Sequence, residues 1–230
     1  MKTNNINKKK QYIMFDLNIL NEDIWYWENV ISSPKELVDF LEYLDSEEES
    51  YIRIPKWQPW ESSAEDKHRY GSVKKIIYEN FNNSTKNKKI DQQTLYIMNS
   101  FMMAVEMCYE KYIQGHNLNL NDYFCQSKAL VVKKWLPGKD MGKHFDGQGG
   151  DTTLAFTLVS YLNDDYEGGE ISFPNHGITL KPKPGSLIMF PSQMPYIHEV
   201  LPIKSGIRYM MVALVIKKNE LGQIEYSNYE

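Results

Sequence analysis

A chain of 230 residues with 42% hydrophobic and 13% aromatic side chains can bury a sizeable core, which excludes a disordered or low-complexity protein. Its formal charge of −4, with no basic run longer than Lys8-Lys9-Lys10, gives no support for a nucleic-acid partner. The Asn- and Lys-rich residues 1–11 lack the apolar stretch of a secretory signal and no run approaches a membrane span, so a soluble, cytoplasmic protein with no membrane partner is expected.

In chain order, residues 1–11 read as a mobile arm, and residues 12–17 as a short strand of apolar, β-leaning composition. Ser33-Pro34-Lys35-Glu36 then has the form of a capping box with proline in the first helical turn. Leu37, Phe40, Leu41 and Leu44 follow at helical spacing, which predicts one apolar stripe. Between residues 52 and 70 the chain is rich in Pro and Trp, with Trp57 and Trp60 at its centre, and has no period. It reads as an irregular loop whose tryptophans anchor it to the body.

A short helix is expected over residues 72–81. A longer one, capped by Asp91 and stopped at Gly115, carries Leu95, Met98, Phe101, Met102, Val105, Met107, Cys108 and Tyr112 on a wide apolar face. Cys108 and Cys125 read as reduced thiols rather than a disulfide.

From residue 129 onwards the pattern changes to short apolar runs divided by Gly, Pro, Asn and Asp, namely 129–135, 154–162, 170–173, 178–180, 186–190, 198–200 and 207–216. Seven short strands in about ninety residues predict a β barrel or sandwich, with the preceding helices buttressing one face.

Within this β region, His144-Phe145-Asp146 places two metal-binding side chains on one face if the segment is extended. His198, brought alongside by sheet pairing, would complete two imidazoles and one carboxylate on one side of a metal, as in non-haem Fe(II) oxygenases. The local motif arises by chance about once in a chain with five histidines and thirty acidic residues, so its weight comes from its company. Arg208 lies in the otherwise apolar run 207–216, where a cation needs an anion to neutralise it and the guanidinium fork suits a carboxylate. His176, in a Pro-Asn-His-Gly turn, reads as a surface turn residue. Glu199 faces away from His198 on its strand, and the glycine run 147–150 reads as a flap rather than a phosphate loop.

Trp135-Leu136-Pro137-Gly138, the 144–146 motif, Tyr161-Leu162-Asn163, Gly168-Gly169-Glu170, Lys183-Pro184-Gly185, His198 and Arg208 occur in the order and spacing of a known group. The stretch 128–217 resembles the catalytic core of the 2-oxoglutarate- and Fe(II)-dependent dioxygenases of the prolyl 4-hydroxylase type. The resemblance implies an α+β fold with a double-stranded β-helix, or jelly-roll, core and N-terminal buttressing helices. The organisation expected is an arm (1–11), a helical and loop support region (12–127), the core (128–217) and a tail (218–230), with 12–217 as one compact unit.

The resemblance implies that His144, Asp146 and His198 bind Fe(II). Arg208 would take the distal carboxylate of 2-oxoglutarate, with Tyr161 assisting and Trp135 lining the same pocket. Trp135 and Met141 stand where the family often has tyrosine. The activity implied is hydroxylation of a protein or peptide side chain, prolyl by closest analogy, with 2-oxoglutarate and O2 consumed, succinate and CO2 released, and ascorbate as a candidate auxiliary reductant. Asp146 favours hydroxylation over halogenation, because halogenating relatives carry a small residue there. Two rival readings are an inactive jelly-roll binding module and a nucleic-acid demethylase of the same superfamily. The demethylases typically add a second arginine at a position that is Leu214 here. A zinc hydrolase would have no use for Arg208.

Overall fold

The computed structural model describes residues 15–46, 57–59, 72–77, 88–126, 129–147, 153–219 and 221–224. Its elements run β1 (Asp16–Ile19), β2 (Trp25–Glu28), α1 (Pro34–Ser46), β3 (Gln58–Pro59), β4 (Ser72–Ile77), α2 (Lys88–Gly115), β5 (Tyr123–Cys125), β6 (Ala129–Trp135) and β7 (Met141–His144). They continue with β8 (Leu154–Tyr161), β9 (Glu167–Gly168), β10 (Ile171–Phe173), β11 (Ile178–Leu180), β12 (Ser186–Pro191), β13 (His198–Val200), β14 (Ile203–Ser205) and β15 (Arg208–Lys217). A large antiparallel sheet has the order β1-β2-β12-β8-β15-β6-β4-β3, with β5 also paired to β15, and faces a smaller sheet of order β11-β10-β13-β7. The strands β9 and β14 form a separate pair. Two opposed antiparallel sheets are the architecture expected of the double-stranded β-helix.

The central strands are apolar on both faces because both faces are covered. Along β12, Leu187 and Met189 join the cluster under the helices, whereas Ile188 and Phe190 join the cluster between the sheets. Along β15, Met211, Ala213 and Val215 face the helices, and Met210 faces inward. This period of two explains why runs such as 207–216 read as nearly continuous hydrophobic sequence. Between the sheets, the Phe173 and Phe190 rings meet edge to face with centroids 4.9 Å apart.

Both helices pack on the outer face of the large sheet, as expected. Leu37, Phe40 and Leu41 of α1 are buried there with Met98, Phe101, Val105, Cys108 and Tyr112 of α2, each large side chain contributing about 1.5–3 kcal/mol. Gly115 ends α2 against Trp25, whose ring leaves no room for a Cβ.

Several local expectations are corrected. The segment expected as a helix over 72–81 holds β4 instead, antiparallel to β6 with Lys74 opposite Val132. Val73, Ile76 and Ile77 are β-branched, and the edge of β6 offers hydrogen bonds that outweigh a short helix's own. Residues 78–81 lie outside the described residues. The long helix starts at Lys88, so Asp91 is inside it rather than its cap. Ser33 precedes α1 with φ at 52°, not the extended backbone of a side-chain cap, and its carbonyl accepts the Leu37 N–H at 3.3 Å.

The first described strand lies at 16–19 rather than 12–17. β2, which lines the large sheet beside β12, has no counterpart among the sequence-read strands. Of the expected 52–70 loop, only residues 57–59 are described, and they include β3. Trp57 donates its indole N–H to Glu42 Oε1 at 2.9 Å and packs on Tyr209, as an anchoring residue does. Residues 1–11, Leu44's side chain, His68, Trp60 and residues 148–150 lie outside what is described. No described helix is long and apolar enough to cross a membrane, and Cys108 and Cys125 are free thiols.

Candidate metal and dicarboxylate site

β13 pairs antiparallel with β7 in a register that sets His198 directly opposite His144. Side chains opposite one another in an antiparallel pair point to the same face, and the two imidazole centroids are 4.3 Å apart. Asp146 arrives differently from the extended segment expected, because β7 stops at His144 and Asp146 sits in the turn that follows. The Gly147 N–H donates to the Ser192 carbonyl at 2.9 Å and fixes that turn against the end of β12. Asp146 Oδ1 then lies 3.5 Å from His144 Nε2 and 3.7 Å from His198 Nε2. The three residues offer ligand atoms within 4.8 Å of one another.

Hydrogen bonds to backbone carbonyls orient the two rings of this trio. His144 Nδ1 lies 2.8 Å from the Gly142 carbonyl and His198 Nδ1 3.2 Å from the Tyr196 carbonyl. A carbonyl only accepts, so each Nδ1 donates its N–H outward and each Nε2 is the nitrogen turned toward Asp146 and available to a metal. Burial lowers the His198 pKa below its ordinary 6.5 despite the Asp146 charge. Burial also acts upward on the Asp146 carboxyl, but His144, His198 and the Thr157 hydroxyl together outweigh it and hold it at about 2. Asp146 is therefore a carboxylate at neutral pH and burial biases His198 toward its neutral form, the forms that ligate a metal. Two imidazole nitrogens and a carboxylate converging on one point form a ligand set for a cation, which is the physical case for a metal site.

Thr157 Oγ1 donates to Asp146 Oδ2 at 2.5 Å and lies 2.8 Å from Ser192 Oγ. This pair orients the carboxylate and was not read from sequence, since its role depends on β8 lying beside the 146 turn.

Behind the trio is a cavity of about 60 Å³ lined by the three residues together with Lys133, Trp135, Tyr161, Arg208 and apolar side chains. At 10–15 Å³ per water it has room for about five waters, a small-molecule volume. Arg208 lies at its inner end, 1% exposed. Its guanidinium carbon is 5.1 Å from the Tyr161 ring centre and 5.5 Å from that of Trp135, and Nη1 contacts Met210 Sδ at 3.0 Å. Among the described residues no carboxylate pairs with it, its Nε has no partner, and the nearby hydroxyls of Tyr161 and Tyr166 are buried without hydrogen-bond partners. Burial pushes both phenols up, against the pull of Arg208, so they are neutral O–H donors. A cation and two spare donors in one apolar enclosure fit a carboxylate.

The cavity thus gathers all six residues singled out in the sequence: His144, Asp146, His198, Arg208, Tyr161 and Trp135. Met141 also lines it. His176 stacks on Tyr196 with centroids 4.8 Å apart and stays outside the trio, as does Glu199. Lys133, Thr157, Ser192 and Tyr166 were missed. The Lys133-Lys134 doublet inside an apolar run was the available signal for the first of these.

Residues 130–215 match the sequence profile of the 2OG-Fe(II) oxygenase superfamily. A PKHD-type hydroxylase of Crocosphaera subtropica is 32% identical over 95 residues, which are 38% of this chain and 42% of that protein. The chain thus matches less than half the length of that curated relative. A prolyl-4-hydroxylase of Pseudomonas putida superposes with a TM-score of 0.57 at 19% identity, covering 86% of this chain and 94% of that one. A prolyl hydroxylase in complex with a hypoxia inducible factor oxygen degradation domain peptide fragment, from Trichoplax adhaerens, gives a TM-score of 0.56 at 17% identity, covering 85% and 84%. At these identities the structural likeness establishes a shared fold.

Proposed function

From the premise that residues 130–215 belong to the 2OG-Fe(II) oxygenase superfamily, we propose that the chain is a 2-oxoglutarate- and Fe(II)-dependent dioxygenase that hydroxylates a protein or peptide side chain, prolyl by closest analogy. The observation that carries this reading is one cavity with a metal-ready His144–Asp146–His198 trio at one end and a buried, carboxylate-free Arg208 at the other. The peptide bound by the Trichoplax adhaerens protein and the naming of the Pseudomonas putida protein support the substrate class. Free Cys108 and Cys125 accord with a reducing, cytoplasmic setting.

When bound, Fe(II), 2-oxoglutarate and O2 supply oxidative decarboxylation of the co-substrate and transfer of one oxygen atom to a substrate C–H bond. The chain's own residues bind and orient. His144 and His198 present Nε2 lone pairs, Asp146 contributes a negative charge, and the Thr157 hydroxyl holds one of its oxygens in place. Arg208, with the hydroxyls of Tyr161 and Tyr166, takes the distal carboxylate. Val159, Val212, Ile171 and Val200 wall the cavity and keep water from competing for these groups.

The test is an anaerobic titration of Fe(II)-loaded protein with 2-oxoglutarate, following the visible charge-transfer band of bidentate keto-acid chelation. A band that vanishes in His198→Ala and needs far more 2-oxoglutarate in Arg208→Ala is expected. Iron-loaded protein that gives no band overturns the reading. Peptide screening by mass, seeking a gain of one oxygen, then identifies the substrate.

A further inference from the structure

Two residues of the trio lean on one loop, residues 192–197, which joins β12 to β13. At its start the Ser192 carbonyl accepts the Gly147 N–H at 2.9 Å, and Ser192 Oγ lies 2.8 Å from the Thr157 hydroxyl that holds Asp146. At its end the Tyr196 carbonyl accepts from His198 Nδ1 at 3.2 Å. That distance is at the long limit of an N–H···O bond, so a small displacement of the carbonyl releases the imidazole to turn. The loop is placed in turn by contacts from elsewhere in the chain. The Asn175 amide donates to the Pro195 carbonyl at 2.9 Å, His176 stacks on the Tyr196 ring, and the Tyr196 hydroxyl donates to Asp23 Oδ2.

We propose that Asp23 and Tyr196 are a positioning pair for the metal site, fixing the carbonyl that orients His198. This rests on the metal-site reading above and extends it to the β1–β2 loop, a part of the chain outside the 130–215 match.

Asp23 is itself held on three sides. Its backbone N–H donates to Asn21 Oδ1 at 2.9 Å, its carbonyl accepts the Tyr112 hydroxyl at 2.8 Å, and its Oδ1 lies 3.2 Å from His116 Nε2. Tyr112 and His116 stand at the C-terminal end of α2 and stack with centroids 4.1 Å apart. A path of direct contacts thus runs from the end of α2 through Asp23 and Tyr196 to His198. The same loop secures the Tyr196 stack, because the Asn21 amide lies 3.0 Å from His176 Nδ1. Stacking fixes the plane of the Tyr196 ring but lets it slide within that plane. The hydroxyl bond to a carboxylate supplies the missing restraint, and a charged acceptor holds it more tightly than a neutral one would. Phenylalanine would serve the stack equally, so the hydroxyl and its carboxylate point to placement rather than to packing alone. Partners that orient a metal-binding histidine through its other ring nitrogen set metal affinity.

The experiment measures Mn(II) dissociation constants on the full chain well below its unfolding temperature, and the visible ligand-field bands of the Co(II)-loaded protein, which report ligand geometry. Tyr196→Phe and Asp23→Ala are each expected to weaken Mn(II) binding by about tenfold. The double variant is expected to bind no more weakly than the weaker single, because both substitutions remove the same bond. The Co(II) bands of Tyr196→Phe are expected to differ from those of the wild type, a change that lost stability alone does not produce. Wild-type Mn(II) affinity and wild-type Co(II) bands in Tyr196→Phe overturn the proposal and leave the metal site standing. Losses that add in the double variant also overturn it, because the two residues then act separately. Wild-type protein that binds neither metal overturns the reading on which the proposal rests. Should one single variant not fold, the other decides by the same affinity and bands.

Discussion

At the scale of single residues, the trio depends on a side chain that never touches the metal position. Thr157 donates to the carboxylate oxygen of Asp146 farther from the imidazoles, and Ser192 holds Thr157 in turn. A hydrogen bond to a buried charge is worth about 1.5–3 kcal/mol, and outer partners of metal ligands typically cost 10–100-fold in affinity when removed. Thr157→Val, which keeps the shape, is therefore expected to weaken Mn(II) binding by about tenfold or more, and Thr157→Ser to restore most of it. Equal affinities for valine and wild type in a metal titration would show that the turn alone places Asp146. His144, Asp146, His198 and Arg208 were legible because a histidine pair, a carboxylate and a cation in an apolar run are conspicuous in composition. Thr157 and Ser192 were not, since a threonine and a serine near strands are unremarkable until register sets them beside Asp146.

At the scale of elements, the short link between β9 and β10 carries more constraint than its length suggests. Gly168 and Gly169 both have positive φ, at 74° and 68°. A Cβ on Gly169 would stand 2.3 Å from Ile203 Cδ1 and 3.2 Å from Arg208 Cδ. Left-handed backbone alone costs an alanine about 1–2 kcal/mol, and the crowding adds to it. Gly169→Ala is expected to lower the unfolding midpoint and also to raise the 2-oxoglutarate dissociation constant by displacing Arg208. Loss of stability with unchanged 2-oxoglutarate affinity would mean that Ile203 yields instead. The same scale explains the misread elements. β4 is a strand because β6 presents an edge to it, and β2 because β12 does. Both are long-range pairings that a local period cannot report.

For the whole molecule, the two-sheet core was visible as recurring short apolar runs, whereas the way strands from the first 125 residues extend the large sheet was not. The site those sheets create sets the protein's response to pH. His198 is buried with a folded pKa below 6.5, so the unfolded chain takes up that proton first. The stability it contributes is full above pH 6.5 and falls as pH drops from there toward the folded value. Asp146, at about 2 when folded against an ordinary 3.8, contributes about 2 kcal/mol above pH 3.8 that is lost between there and pH 2. Both slopes have the same sign, so metal-free protein is expected to become easier to unfold in urea as pH is lowered from 7 to 2, His198 acting first and Asp146 below pH 3.8. Mn(II) at a hundredfold excess over its dissociation constant adds about 2.7 kcal/mol. That increment must shrink below pH 6.5, where protons compete for the same Nε2 lone pair. Urea midpoints measured across this range with Mn(II) and with EDTA test both slopes. His198→Gln should abolish the metal increment at every pH and flatten the part of the metal-free decline that begins at pH 6.5. A Mn(II) increment that survives this substitution would place the bound metal elsewhere in the chain.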